Sequence, residues 1–168
     1  MARNGPAVAA YRMTVIAYRD GIMAADSRVS VSTEGGGDRI FKCEKLYRKT
    51  IKEKRRRKFD VIIGLAGESA PGLVFLDWYG SGKEPPSSLI DGDADFTGLL
   101  LRPDGLFEVD KYCRPEKIIQ PKFYAVGSGA KAALGAMHMG ANAATAVAVA
   151  CKICPHCAPP VVTMRLKG

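Results

Sequence analysis

The chain has no apolar run of the roughly 20 residues that a membrane-crossing helix takes. Residues 1–13 hold scattered alanines but no sustained apolar core, so they do not read as a signal peptide. With neither feature present, cytoplasmic residence is the expectation. Internal repeats and low-complexity tracts are also lacking, which excludes solenoids and flexible arrays. Cysteines are few and odd in number: five, three of them crowded into Cys151–Cys157. A secreted disulfide framework shows an even set spread along the chain. Aromatic residues make up only 8% of the sequence, and none interleaves its most basic stretch. That stretch therefore offers no stacking platform for single-stranded nucleic acid.

What is present suffices for one domain with a real core: 168 residues, 47% of them apolar. The formal charge is +8, and much of the excess lies in Arg48–Lys58. This run joins two apolar segments and reads as a solvated hairpin loop, so no nucleic-acid partner is expected from it.

Short apolar runs and turn residues set the order of elements. Residues 14–19 and 22–26 read as a hairpin with Arg19-Asp20-Gly21 at the turn. Residues 45–51 and 59–65 read as a second, spanning the basic loop. A helix follows, with Ser69 as its expected cap and Pro71 in its first turn, ending at Gly80. Residues 96–102 and 106–110 form a third hairpin, turned by Pro103-Asp104-Gly105. Residues 123–126 are a short strand before Gly127-Ser128-Gly129. Two Ala-rich helices span 130–139 and 142–152, the first stopped by Gly140 and the second capped by Asn142. Residues 161–165 close the chain as a strand. Hairpins with segregated helices predict an α+β layered domain rather than a parallel α/β sheet.

Thr14 stands at the head of the first apolar run, directly after Met13. Cleavage between them would leave an α-amine beside the Thr14 hydroxyl. An α-amine titrates near neutral pH, at about 8, and can serve as base to a hydroxyl nucleophile. A Thr-Val pair by itself is equally an ordinary strand start.

The order Thr14, Ala24-Ala25-Asp26-Ser27-Arg28, Lys45-Leu46-Tyr47, Ile63-Gly64-Leu65-Ala66-Gly67 and Gly127-Ser128-Gly129 resembles the proteasome β-subunits and the bacterial peptidase HslV. These are N-terminal-nucleophile hydrolases, and the small bacterial and phage proteins related to them are the most similar. The resemblance spans Thr14 to Leu166. It implies a four-layer α-β-β-α sandwich over residues 14–168, preceded by an extension or propeptide, residues 1–13. It implies a threonine-type endopeptidase with Thr14 as nucleophile, Lys45 and Asp26 as the supporting ion pair, and Arg28 beside them. Gly64 would supply the oxyanion N–H, and Ser128 would orient the Thr14 amine. No metal or organic cofactor is implied. The implied setting is a homo-oligomeric ring acting on peptides or unfolded proteins, served by an ATP-dependent unfoldase, with no membrane partner.

Two departures stand against that pattern. The family carries an Asp after the last helix, yet Cys151–Pro160 has no acid, and Cys154 or a neighbour occupies the place. Residues 1–13 also block the Thr14 amine. Autolysis at Met13–Thr14 would expose it, as would translation from Met13 followed by removal of that Met. A ring subunit that has kept the fold and lost turnover is the alternative expectation. Cys154-Pro155-His156-Cys157 adds two further readings: a thiol–disulfide site, and a zinc site built from Cys151, Cys154, His156 and Cys157.

Overall fold

The first hairpin turns on Asp20 and Gly21, both at positive φ, 51° and 76°. That is the twist a two-residue turn needs to match right-handed strands. In the computed structural model, which describes residues 14–32, 38–52, 57–93, 95–119 and 121–167, this turn joins β1 (Ile16–Arg19) to β2 (Ile22–Ala25). The remaining strands are β3 (Arg28–Ser32), β4 (Asp38–Lys42), β5 (Leu46–Lys52), β6 (Lys58–Gly67), β7 (Phe96–Arg102), β8 (Gly105–Val109), β9 (Glu116–Lys117), β10 (Phe123–Val126) and β11 (Val162–Arg165). The helices are α1 (Ser69–Trp78), α2 (Ser87–Ile90), α3 (Ala130–His138) and α4 (Ala143–Ile153).

The strands form a four-stranded sheet, β10-β1-β2-β11, a five-stranded sheet, β5-β6-β7-β8-β9, and a separate β3–β4 hairpin, paired antiparallel throughout. Side chains alternate across each sheet, as strand geometry requires. On β1 and the residue before it, Val15 and Ala17 face α3 and α4, while Ile16 faces the second sheet. On β6, Val61 and Ile63 face α1, and Ile62 and Ala66 face the first sheet. Three apolar layers result, one beneath each pair of helices and one between the sheets. The architecture is the four-layer α-β-β-α sandwich that the family resemblance implies.

Small side chains decide how closely the outer helices settle. Ala17, Ala24, Ala133, Ala143, Ala146 and Ala150 are all buried between the first sheet and α3/α4. Asn142 caps α4, its side-chain oxygen accepting from Thr145 N at 2.8 Å. At the other side of the sandwich Tyr124 of β10 donates to Glu108 of β8 at 2.6 Å, tying the two sheets together. That bond, and then burial, push the Tyr124 phenol up to about 12.

Some elements differ from expectation. Ser69 is not the cap of α1 but its first residue. Glu68 holds the cap position in extended conformation because its N–H donates to Asp95 O at 2.9 Å, and no side chain caps the helix. The β3–β4 hairpin, the short α2 and the two-residue β9 add to the expected elements; Arg28-Val29-Ser30-Val31-Ser32 alternates strictly, as a strand does, whereas α2 and β9 run too briefly to show a period. The basic loop's residues 53–56 and the extension 1–13 lie outside the described residues. Among the described residues no helix is long and apolar enough to cross a membrane.

Asn142→Ala should lower the unfolding free energy by about 1 kcal/mol in chemical denaturation, the usual worth of a capping side chain. Asn142→Asp should keep most of it.

Candidate active site

Strand register brings the sequence-predicted residues to one end of the sandwich. Ile16 pairs with Val126 across β1 and β10, so two residues further Thr14 stands opposite Ser128. Ile16 pairs with Ala25 across β1 and β2, so Asp26 emerges opposite Val15 just past the end of β2. Lys45 directly precedes β5, and its carbonyl accepts from Leu65 N of β6 at 2.9 Å. Each side chain is therefore carried at a strand end, on a backbone that the ladder holds.

Asp26 is the hub. Its Oδ1 accepts from Thr14 Oγ1 at 2.8 Å, Lys45 Nζ at 2.8 Å and Val15 N at 3.0 Å. Its Oδ2 accepts from Arg28 N at 3.1 Å and Ala158 N at 3.2 Å. The Asp26 side chain is 0% exposed and that of Lys45 6%. A buried carboxylate is tolerable only when paired and fully hydrogen-bonded, and both conditions are met. Lys45 Nζ also donates to Arg28 O at 2.6 Å. Arg28 thus serves the site through its backbone; its guanidinium Nε turns to Ser30 Oγ at 3.1 Å.

Thr14 is 3% exposed. Its N–H donates to Ser128 Oγ at 3.2 Å, and the Ser128 hydroxyl donates back to Thr14 O at 3.2 Å. Gly127, at φ 95°, allows this approach, because a Cβ there would run into Thr14 O. Thr14 Oγ1 thus faces an ion pair, and Thr14 N faces a hydroxyl.

Gly64 does not join this group. It lies inside β6, paired with Leu46 on one side and Leu99 on the other. A Cβ there would sit 2.9 Å from Ile16 Cγ2 and from Met23 Sδ, both in the layer between the sheets. Gly64 makes room for packing. Of the β6 glycines it is Gly67, at the strand's end, that lines both cavities opening on Thr14. Leu65 N points to Lys45, and strand donors alternate in direction, so Gly67 N–H is the next donor on the same edge. Gly67 has φ 97°, and a Cβ there would lie 2.6 Å from Asp95 O. The sequence does contain the signal: Gly64 has apolar residues on both sides, whereas Gly67 is followed by polar Glu68-Ser69 at a strand-to-helix junction.

Two cavities open on Thr14. One, about 230 Å³, is lined by Val29, Phe41, Tyr47, Leu65 and Leu73, with Lys45, Glu44 and Glu68 as its charged members. The other, about 300 Å³, is lined by Ala66, Gly67, Asp95, Thr97, Gly127 and Ser128. A larger surface hollow of about 910 Å³ is lined by Glu108, Tyr124 and their neighbours and does not include Thr14. The thiol in its lining, Cys113, is buried and donates to Lys111 O, and burial raises its pKa, so size does not make this hollow the chemical centre.

The segment after α4 contributes a backbone rather than an acid. Cys157 is buried against α3 and α4, and its N–H donates to Cys154 O at 3.1 Å. The next residue, Ala158, donates to Asp26. Burial, ahead of the nearby Asp26 charge, raises the Cys157 thiol and pushes Cys151 up to about 11. A thiol–disulfide enzyme needs the opposite shift. Among the described residues no three His, Cys, Asp or Glu side chains gather to hold a metal ion, so the zinc set Cys151, Cys154, His156 and Cys157 is not assembled.

No family model matches the chain, and no curated protein does. Solved structures do. Thiobacillus denitrificans BPH, a bacterial proteasome homologue, in complex with epoxomicin is 21% identical with a TM-score of 0.60, over 93% of this chain and 100% of that one. A second structure of Thiobacillus denitrificans BPH is 21% identical at TM-score 0.59, over 92% and 98%. Eukaryotic HslV from Trypanosoma brucei is 15% identical at TM-score 0.61, over 90% and 97%. The chain has the proteasome-like, HslV-like N-terminal-nucleophile-hydrolase fold.

Gly64→Ala should reduce stability by about 1–3 kcal/mol through overpacking between the sheets. A denaturation midpoint equal to that of the parent would refute the packing role.

Proposed function

We propose that this chain is a threonine-type peptidase acting through Thr14 after removal of residues 1–13. The observation that carries the reading is the convergence of Thr14, Asp26, Lys45 and Ser128 within one hydrogen-bonded cluster. Once freed, the Thr14 amine takes the hydroxyl proton as Oγ1 attacks the carbonyl. The Lys45 ammonium, held by Asp26, stabilises negative charge developing on Oγ1. Gly67 N–H, in place of the expected Gly64, is the donor aimed at the carbonyl oxygen. Ser128 keeps the amine in position. The apolar cavity beside Lys45 receives the side chain that precedes the cleaved bond. Water then hydrolyses the ester. No metal or cofactor enters these steps.

A homo-oligomeric ring, peptide or unfolded-protein substrates and an ATP-driven unfoldase are the setting that the family resemblance and the shared fold support. A catalytically silent ring subunit is the second reading. The absence of an acid from Cys151–Pro160 favours it.

Intact mass of the purified protein separates the two. The peptidase reading expects a chain starting at Thr14 that a peptide epoxyketone labels with one adduct, as supported by the epoxomicin complex of the structural relative. Thr14→Ala should abolish the adduct, and Lys45→Met should slow its formation at least about 100-fold, the scale of one electrostatic stabiliser. A mature Met1 start without any adduct would establish the silent subunit.

A further inference from the structure

The last loop carries two cysteines that the Thr14 chemistry does not use, at the place where the chain reaches the Asp26 cluster. Cys154 ends α4, its N–H donating to Ala150 O at 2.8 Å. Cys157 N–H donates to Cys154 O at 3.1 Å, which closes a four-residue turn through Pro155 and His156. Such a turn brings its first and last Cα within about 7 Å, and a disulfide spans about 4.4–6.8 Å between Cα atoms. Both residues are free thiols, Cys154 half-buried and Cys157 buried. The two thiols are hydrogen-bond partners; burial, then the Asp26 charge, then that bond raise the Cys157 pKa.

On its other sides Cys157 is hemmed in. A Cβ on Gly129 would lie 2.8 Å from its sulfur, 2.9 Å from Val15 Cβ and 3.2 Å from Ala150 Cβ. The sulfur thus sits among the start of β1, α4 and the turn that carries Ser128. The next residue, Ala158, donates its N–H to Asp26 Oδ2 at 3.2 Å, and its carbonyl accepts from Ser27 N at 3.1 Å. Whatever fixes Cys157 to the end of α4 therefore fixes the donor that the last loop gives to Asp26. We propose that Cys154 and Cys157 form a reversible disulfide that clasps this donor onto Asp26. The half-buried Cys154 meets the oxidant, a peroxide, first. Its sulfur takes one peroxide oxygen, giving a sulfenic acid and one water. The Cys157 sulfur then bonds to the Cys154 sulfur, and the sulfenic hydroxyl leaves with the Cys157 proton as a second water. Two thiols give up two electrons and the peroxide takes them. Cys157 keeps its packed place, and Cys154, at a helix end, turns in to reach it. A dithiol reductant restores both cysteines.

Hydrogen peroxide and dithiothreitol test this on the full chain by mass spectrometry and hydrogen exchange, neither of which needs turnover. The peroxide-treated protein should lose the mass of two hydrogens, with the cross-link mapped to Cys154 and Cys157, and dithiothreitol should reverse the change. Amide exchange over residues 156–158, read after quenching and reduction, should slow about tenfold in the oxidised form, the scale on which closing a short loop restrains the chain. Cys154→Ser should abolish both effects, and Cys151→Ser should leave both in place. Because Cys157 is a core residue, the half-buried Cys154 is the one replaced, and thermal melts confirm that the variants fold. A protein that peroxide leaves unlinked, a cross-link to Cys151, or a Cys154–Cys157 disulfide with unchanged exchange over 156–158 would each overturn the proposal. Epoxyketone labelling of Thr14 reports on the peptidase reading alone. A disulfide with slowed exchange but no labelling removes that reading and leaves the clasp standing.

Discussion

The buried carboxylate of Asp26 constrains everything around it. It collects donors from the two residues before β1, from the first residue of β3, from the residue before β5 and from the segment after α4. A charge withdrawn from water is stable only while those donors stay in place. Four chain segments far apart in sequence must therefore meet at one end of the sandwich. The same requirement fixes Lys45 next to Thr14 Oγ1, since both groups bind the same carboxylate oxygen. Structural need and chemical capability are one arrangement here.

Close approach is the second constraint, and small residues supply it. Gly64 lets Ile16 and Met23 into the layer between the sheets. Gly127 lets Ser128 reach back to Thr14. Gly129 admits the Cys157 sulfur, which would otherwise meet a Cβ at 2.8 Å. The alanines of α3 and α4 seat both helices near the first sheet, and α4 then delivers Ala158 to Asp26. Packing between helices and sheet is in this way connected to the hydrogen bonding of the site.

Much of this is legible in the sequence, because its signals are local. The hairpins at Asp20-Gly21 and Pro103-Asp104-Gly105 follow from turn chemistry, and the α3/α4 boundary follows from Gly140 and Asn142. Thr14, Asp26, Lys45 and Ser128 are the residues that the family resemblance, carried by the order of motifs, implies. Other features escape for physical reasons. Glu68 rather than Ser69 caps α1 because the Asp95 carbonyl, distant in sequence, binds its N–H, an interaction that no local pattern displays. Gly64 and Gly67 lie close together in one apolar run, and only the direction of each residue within β6 separates a packing role from a donor role. Arg28 contributes its backbone, which a reading of side chains does not reveal. Cys157 reads in the sequence as a candidate ligand but is a core residue.

By itself the sequence determined the layered α+β class and the strand and helix order, because alternation and turn residues are properties of neighbouring positions; Thr14, Asp26, Lys45 and Ser128 were singled out through the family resemblance that the motif order carries. The tertiary structure decided that Gly67 rather than Gly64 comes near Thr14 and that two cavities open on that residue. It also decided that a backbone N–H from Ala158, not an acid, comes to the site from the last loop. These depend on strand register and on which elements meet across the sandwich, and long-range contact is what a linear pattern leaves open.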